Sequence, residues 1–249
     1  MAYRINPAFR RYPTEGAIVG LILSSFGELE LTMCQAANAA TQAADHAVLK
    51  ALYRLRSTSS RFDVADCLMA PVYKKHELAD IYEIARSNLQ YCLSVRNQYA
   101  HCNWADDWDE GLFFADLQTS AKNESFDHSY KHVDPPVLQQ QYEFFGFTLE
   151  CLRFADNQLA VKMGTLSGPV WPEPVKYDRP PLHNLASEHI PPWLTKEQKE
   201  VHLKRALELE GHGQQRERPP SVLRLTREEW AAKDTKDARE GRSDPEPQK

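Results

Sequence analysis

Proline placement limits this chain more than any other feature. Eleven of its 16 prolines lie after Met163. Each removes a backbone donor and fixes φ, so the last third cannot run as long helices or central strands. The core must therefore come from the first 163 residues. Three regions are expected: a helical bundle over 14–163, a Pro-rich extended segment over 164–194, and a charged helix with a largely disordered tail over 195–249.

Charge divides at the same place. Before Gly164 there are 15 Lys and Arg against 20 Asp and Glu, and after it 15 against 15. An acidic folded part does not suit a broad basic nucleic-acid surface, so a bound RNA or nucleotide would be held by a few local cations. The five cysteines (Cys34, Cys67, Cys92, Cys102, Cys151) are odd in number and sit mostly in apolar helical patterns, as reduced packing residues do in the cytoplasm. The first residues lack an apolar signal-like core, and no run reads as the roughly 20 apolar residues of a membrane span. The expectation is a soluble, cytoplasmic protein without membrane contact.

The periodicity is helical. Ile18, Ile22, Leu29, Met33 and Ala36 mark a long helix after Pro13, and Val48, Leu49, Leu52 and Leu55 a second between Asp45 and Arg56. Ser57–Ser60 would cap a third, short helix ending before Pro71. Leu78, Ile81, Ala85, Leu89, Cys92, Val95 and Tyr99 hold a 3.6-residue period over six turns, which makes this element central. Beyond an acidic loop at Asp106–Gly111, the runs Leu112–Thr119 and Phe126–Val133 read as a hairpin. Asp134 then caps a last long helix reaching Met163. Thr195 opens an amphipathic helix over Lys196–Glu210, and Ser221–Trp230 is the one candidate docking segment of the tail. The fold class is mainly α: an antiparallel bundle, a short hairpin between its last two helices, and an extended tail.

At the end of the central helix stands Arg96-Asn97-Gln98-Tyr99-Ala100-His101. An Arg followed a few residues later by His is common: with 17 Arg and 9 His, about two matches are expected by chance. Arg205 to His212, on the charged helix, is a second one. Arg96 differs because it interrupts the apolar row of Ala85, Leu89 and Cys92, where an unpaired cation is costly, and because Asn97 follows it directly.

These residues, at the end of a long core helix, resemble the motif of the HEPN domain family. That family comprises small all-α domains of prokaryotic toxins, phage-defence ribonucleases and CRISPR effectors. The resemblance covers about residues 14–163 and implies a metal-independent endoribonuclease acting as a homodimer, with two copies of the motif facing one cleft. By position it implies that Arg96 binds phosphate, Asn97 orients and His101 is the acid/base. Some members carry a tyrosine two residues after the histidine; this chain has Asn103. The family also holds members that do not cleave.

The chemistry agrees with that assignment. Cleavage by the ribose 2′-hydroxyl needs proton transfer near neutral pH, which imidazole supplies, and a held phosphate charge, which a guanidinium fork supplies. On a straight helix Asn97 and His101 lie within about 40°, whereas Arg96 and His101 diverge by about 140°. Either the helix ends or bends near Tyr99, the Arg stem reaches round, or the cleft is shared between two chains. Trp104 and Trp108 are candidates to stack a base, and Arg61 to guide the phosphate backbone. Glu28 is the candidate partner of Arg96, with Tyr99 supporting the motif from behind. The structural alternative pairs Arg96 with Glu28 or Asp106 and leaves His101 capping the helix end. His128 and His132 fall four apart in a predicted strand without a nearby Cys, so neither metal nor other cofactor is expected. The expected partners are RNA, a second copy, and an antitoxin or other protein at the C-terminal segment; the competing function is a non-catalytic helical module that binds a nucleotide or a protein.

Overall fold

The computed structural model describes residues 7–107, 109–117, 121 and 130–215, with side chains as far as 210. Two compact units divide it, Met1–Ala206 and Leu207–Lys249. The first holds all of the bundle, sheet and Pro-rich segment. The second begins inside the final helix and continues beyond the described residues, where the Ser221–Trp230 segment lies.

A short α1 (Ala8–Arg11) leads into α2 (Pro13–Ala40), α3 (Ala47–Leu52), α4 (Thr58–Lys75) and α5 (Ala79–Ala100). Strands β1 (Cys102–Asp107), β2 (Gly111–Asp116) and β3 (Lys131–His132) follow, then α6 (Pro135–Lys162) and α7 (Lys196–Gln215). Helix α2 is the spine: Ile22, Phe26, Leu29 and Met33 are buried and join Leu89, Cys92 and Val95 of α5 with Phe144, Phe145 and Leu152 of α6 in one core. By length and composition α2 could also cross a membrane, with a third of its apolar window buried within the fold. Contacts Asn88–Cys151, Cys92–Thr148 and Tyr99–Gln141 climb α5 while descending α6, so these two helices run antiparallel.

Two helices differ from expectation. The second is shortened to Ala47–Leu52, because Asp45 (φ 54) and His46 (φ 55) take left-handed backbone that no helix continues. Conversely α4, expected to stop before Pro71, runs through it to Lys75. Met69 and Tyr73, on either side of that proline, are both buried, and this packing outweighs the lost backbone bond.

The hairpin also gains a strand. Cys102–Asp107, whose acidic end falls in the expected loop, pairs antiparallel with β2 from Cys102↔Asp116 to Asp107↔Gly111, and among the described residues β3 adds Phe113↔His132 and Phe114↔Lys131, the first part of the expected Phe126–Val133 run lying outside them. Asp107 serves both strand and turn: its Oδ1 accepts the N–H groups of Asp109 (3.0 Å) and Glu110 (3.2 Å). The N-terminus holds β1 in place, with Arg11 on Asp106 at 2.5 Å, the Tyr12 hydroxyl on the Asp107 carbonyl at 2.7 Å, and Phe9 against Trp104.

The alternation of the strands gives the sheet two faces. Trp104, Leu112, Phe114 and Val133 join the bundle core, while Phe113, Ala115 and Tyr130 form a small second cluster. The Pro-rich segment serves both. Between Val170 and His183 it is fastened along α5 and α6: Asn157 accepts the Val170 N–H, Tyr177 donates to Glu143, Arg179 to Ser87 and Asn88, and Tyr91 to the Pro180 carbonyl. It then reaches the other sheet face, where His189 stacks on His132 (centroids 3.9 Å apart) and Trp193 meets Phe113 and Tyr130 edge-on.

Candidate functional site

Helix α5 ends at Ala100, and His101 leaves helical geometry (φ −127, ψ 39) before β1 begins. A straight-helix projection therefore fails at the last residue of the motif, as one of the expected solutions requires. Arg96 Nη1 donates to Asn97 Oδ1 at 3.1 Å, and the guanidinium lies 5.8 Å from the Phe26 ring centre. It has no carboxylate within ion-pair distance among the described residues: Asp106 is taken by Arg11, and Glu28 faces solvent on α2 beside Ser25, Tyr142 and Glu143. The Glu28–Arg96 and Asp106–Arg96 pairings are thus not formed. Asn97 and His101 are exposed, and Arg96 is half-buried.

The other proposed residues are placed differently. Arg61 is held between Glu30 (2.5 Å) and the Leu55 carbonyl (3.0 Å), with both charged side chains mostly covered, so it is already committed within the bundle. Trp104 lies half-buried among Phe9, Tyr99 and Phe114. That packing joins β1 to the core and leaves little indole face for a base. Trp108 and His128 lie outside the described residues.

Tyr99 anchors the motif from behind, through an unforeseen network. Its hydroxyl is 2.5 Å from Gln141 Oε1 and 2.8 Å from His183 Nδ1. The other ring nitrogen, Nε2, lies 2.9 Å from the Asp134 N–H, and Gln141 Nε2 donates to the Pro181 carbonyl at 2.7 Å. One proton order satisfies every group. Asp134 N–H donates to His183 Nε2, His183 Nδ1–H to Tyr99, Tyr99 to Gln141, and Gln141 to Pro181. This order requires a neutral His183, and burial lowers its pKa to about 4. Burial raises the Tyr99 pKa strongly, so its proton stays. Gln98 adds a donor to the His183 carbonyl at 2.9 Å.

The motif is therefore mounted on a rigid base, with Gln98 and Tyr99 facing in and Arg96, Asn97 and His101 available to solvent. His183 was missed because it sits in a Pro-rich stretch without periodicity. Among the described residues no cluster of three or more His, Cys, Asp or Glu side chains is arranged to hold a metal. No family model, curated protein or solved structure matches this chain.

Proposed function

We propose that this chain is a cytoplasmic, metal-independent endoribonuclease of the HEPN type, toxin-like or phage-defence-like, active as a homodimer. The observation that carries the reading is the state of Arg96, Asn97 and His101. They end the central helix, with Asn97 and His101 exposed and Arg96 half-buried, and among the described residues no carboxylate pairs with the cation, while Tyr99 between them is fixed in the core. Arg96, oriented by Asn97, binds the scissile phosphate. His101 takes the proton from the 2′-hydroxyl or returns one to the leaving oxygen; two motifs across a two-fold axis provide both steps.

The expected result is RNA cleavage in EDTA that leaves 2′,3′-cyclic phosphate ends. His101→Ala removes it by 100-fold or more, in the range of about 10²–10⁴ for a general acid–base, without a change in stability, because the imidazole is exposed. Undiminished cleavage by that variant sinks the proposal. The second reading, a non-catalytic module for a nucleotide or protein partner, is favoured by the 20 acidic against 15 basic residues before Gly164. It wins if wild-type protein cleaves no RNA while partner binding survives Arg96→Ala.

A further inference from the structure

Near the end of α6 an open cavity of about 240 Å³ is lined by Arg153, Asp156, Asn157, Ala160, Thr165 and Trp171. Its rim is fixed by the chain. Gly164, at φ +72, turns the backbone, and Thr165 bonds the Ala160 carbonyl through both its N–H (2.9 Å) and its hydroxyl (3.0 Å). Asn157 Oδ1 accepts the N–H groups of Val170 (3.0 Å) and Trp171 (3.5 Å), which sets the indole beside the opening. That indole is 43% exposed.

Two features suit the cavity to a ligand. Asp156 has neither an ion pair nor a hydrogen bond among the described residues, and burial pushes its carboxyl pKa up. A half-buried acceptor of this kind gains from any ligand that brings N–H donors. Among the described residues the Trp171 ring carries only the guanidinium of Arg153, at 5.3 Å, itself a planar, donor-rich group on a surface stem. The cavity is open to one side, and at about 240 Å³ it has room for the face and one edge of a bicyclic base.

We infer that this cavity binds a guanine base, which takes the place of the Arg153 guanidinium on Trp171 and donates its N1–H and N2–H to the Asp156 carboxylate, with Arg153 moved to the rim facing the sugar-phosphate. A carboxylate only accepts, so it selects an edge with two adjacent donors. Guanine has that edge; adenine and cytosine offer one donor beside an acceptor, and uracil one donor between two carbonyls. The choice of a base-bearing ligand rests on the ribonuclease reading, but the site is separate. Asp156 lies 15 residues along α6 from Gln141, which meets Tyr99, or about 22 Å at 1.5 Å per residue.

The test is titration of the full chain with GMP, AMP and a G-containing or all-A pentaribonucleotide, read by tryptophan emission, in a His101→Ala background so that no substrate is consumed. GMP binds at least about 10-fold more tightly than AMP, Asp156→Asn removes that preference, and Trp171→Phe removes the emission change. A tighter G-containing oligonucleotide assigns the source as RNA, and equal affinity assigns it as the free nucleotide. Equal binding of GMP and AMP, no binding at all, GMP binding unaltered by Asp156→Asn, or free arginine binding as tightly as GMP each overturns the inference. Thermal melts of both variants confirm folding, and the cleavage assay stands apart from every arm.

Discussion

At the scale of single residues, the chain separates side chains that hold the fold from side chains left over. Arg61 and Arg96 illustrate the division. Both are cations near the bundle surface, yet Arg61 is paired with Glu30 at 2.5 Å, whereas Arg96 rests on an aromatic ring and a neutral carboxamide. Tyr99 belongs to the holding group. Removing its hydroxyl leaves Gln141 Oε1 without its donor and His183 Nδ1–H without its acceptor, in a site closed to water. An unmet buried polar group costs about 1–3 kcal/mol. Tyr99→Phe is therefore expected to lower the unfolding free energy by about 2 kcal/mol or more in urea titrations, while His101→Ala changes it by less than about 0.5 kcal/mol. If both variants unfold at the same urea concentration as wild type, the network is not closed as described.

The elements show which kinds of information a sequence carries. Helices α2, α5 and α6 were legible because a buried face repeats every 3.6 residues, and the caps at Asp134 and Ser57 were legible because their oxygens have few other uses. Strand β1 was not, since Asp106 and Asp107 are poor strand formers; Arg11 and Tyr12, about 95 positions away, hold them there. The run of α4 through Pro71 was not legible either, because the packing of Met69 and Tyr73 cannot be seen from local propensity. Of the site, the motif and its place at a helix end were legible. The fastening of its base to Asp134, Pro181 and His183 was not, because no spacing rule links 99 to 183.

Two glycines allow a sharp comparison at this level. Gly111 (φ +103) opens β2, where an added Cβ would stand 2.8 Å from His132 Nε2, whereas Gly164 (φ +72) has open space around it. Gly164→Ala should cost only the backbone term, about 1 kcal/mol. Gly111→Ala should cost clearly more, because it also displaces the His132 ring from its stack on His189. Equal urea midpoints for the two variants would show that the histidine yields freely and that the stack is loose.

For the whole molecule, the buried histidine makes the Pro-rich segment a pH-dependent part of the fold. His183 is 4% exposed and joins α5, α6 and the extended segment in one hydrogen-bonded chain. Burial, acting first, lowers its folded pKa to about 4, against an unfolded value near 6.5. The unfolded chain thus binds the extra proton more readily. The contribution of His183 to stability is complete above about pH 6.5 and is lost as pH falls toward 4. At about 1.4 kcal/mol per unit, the shift corresponds to roughly 3 kcal/mol over that window. Burial also lowers the pKa of His132 and His202, which act in the same direction, whereas the raised carboxyl of Asp156 acts in the opposite one. The distinguishing measurement is a difference. Urea midpoints of wild type and His183→Gln are compared from pH 7.5 to 4.5, at concentrations that keep the oligomeric state constant. The wild type should lose stability steeply below pH 6.5, and the variant, already less stable at pH 7.5, should lose much less. Parallel curves would mean that His183 titrates as a solvent-exposed imidazole and that the segment does not close over it. A converging pair would instead tie the placement of the segment behind Arg96 and His101 to a single proton.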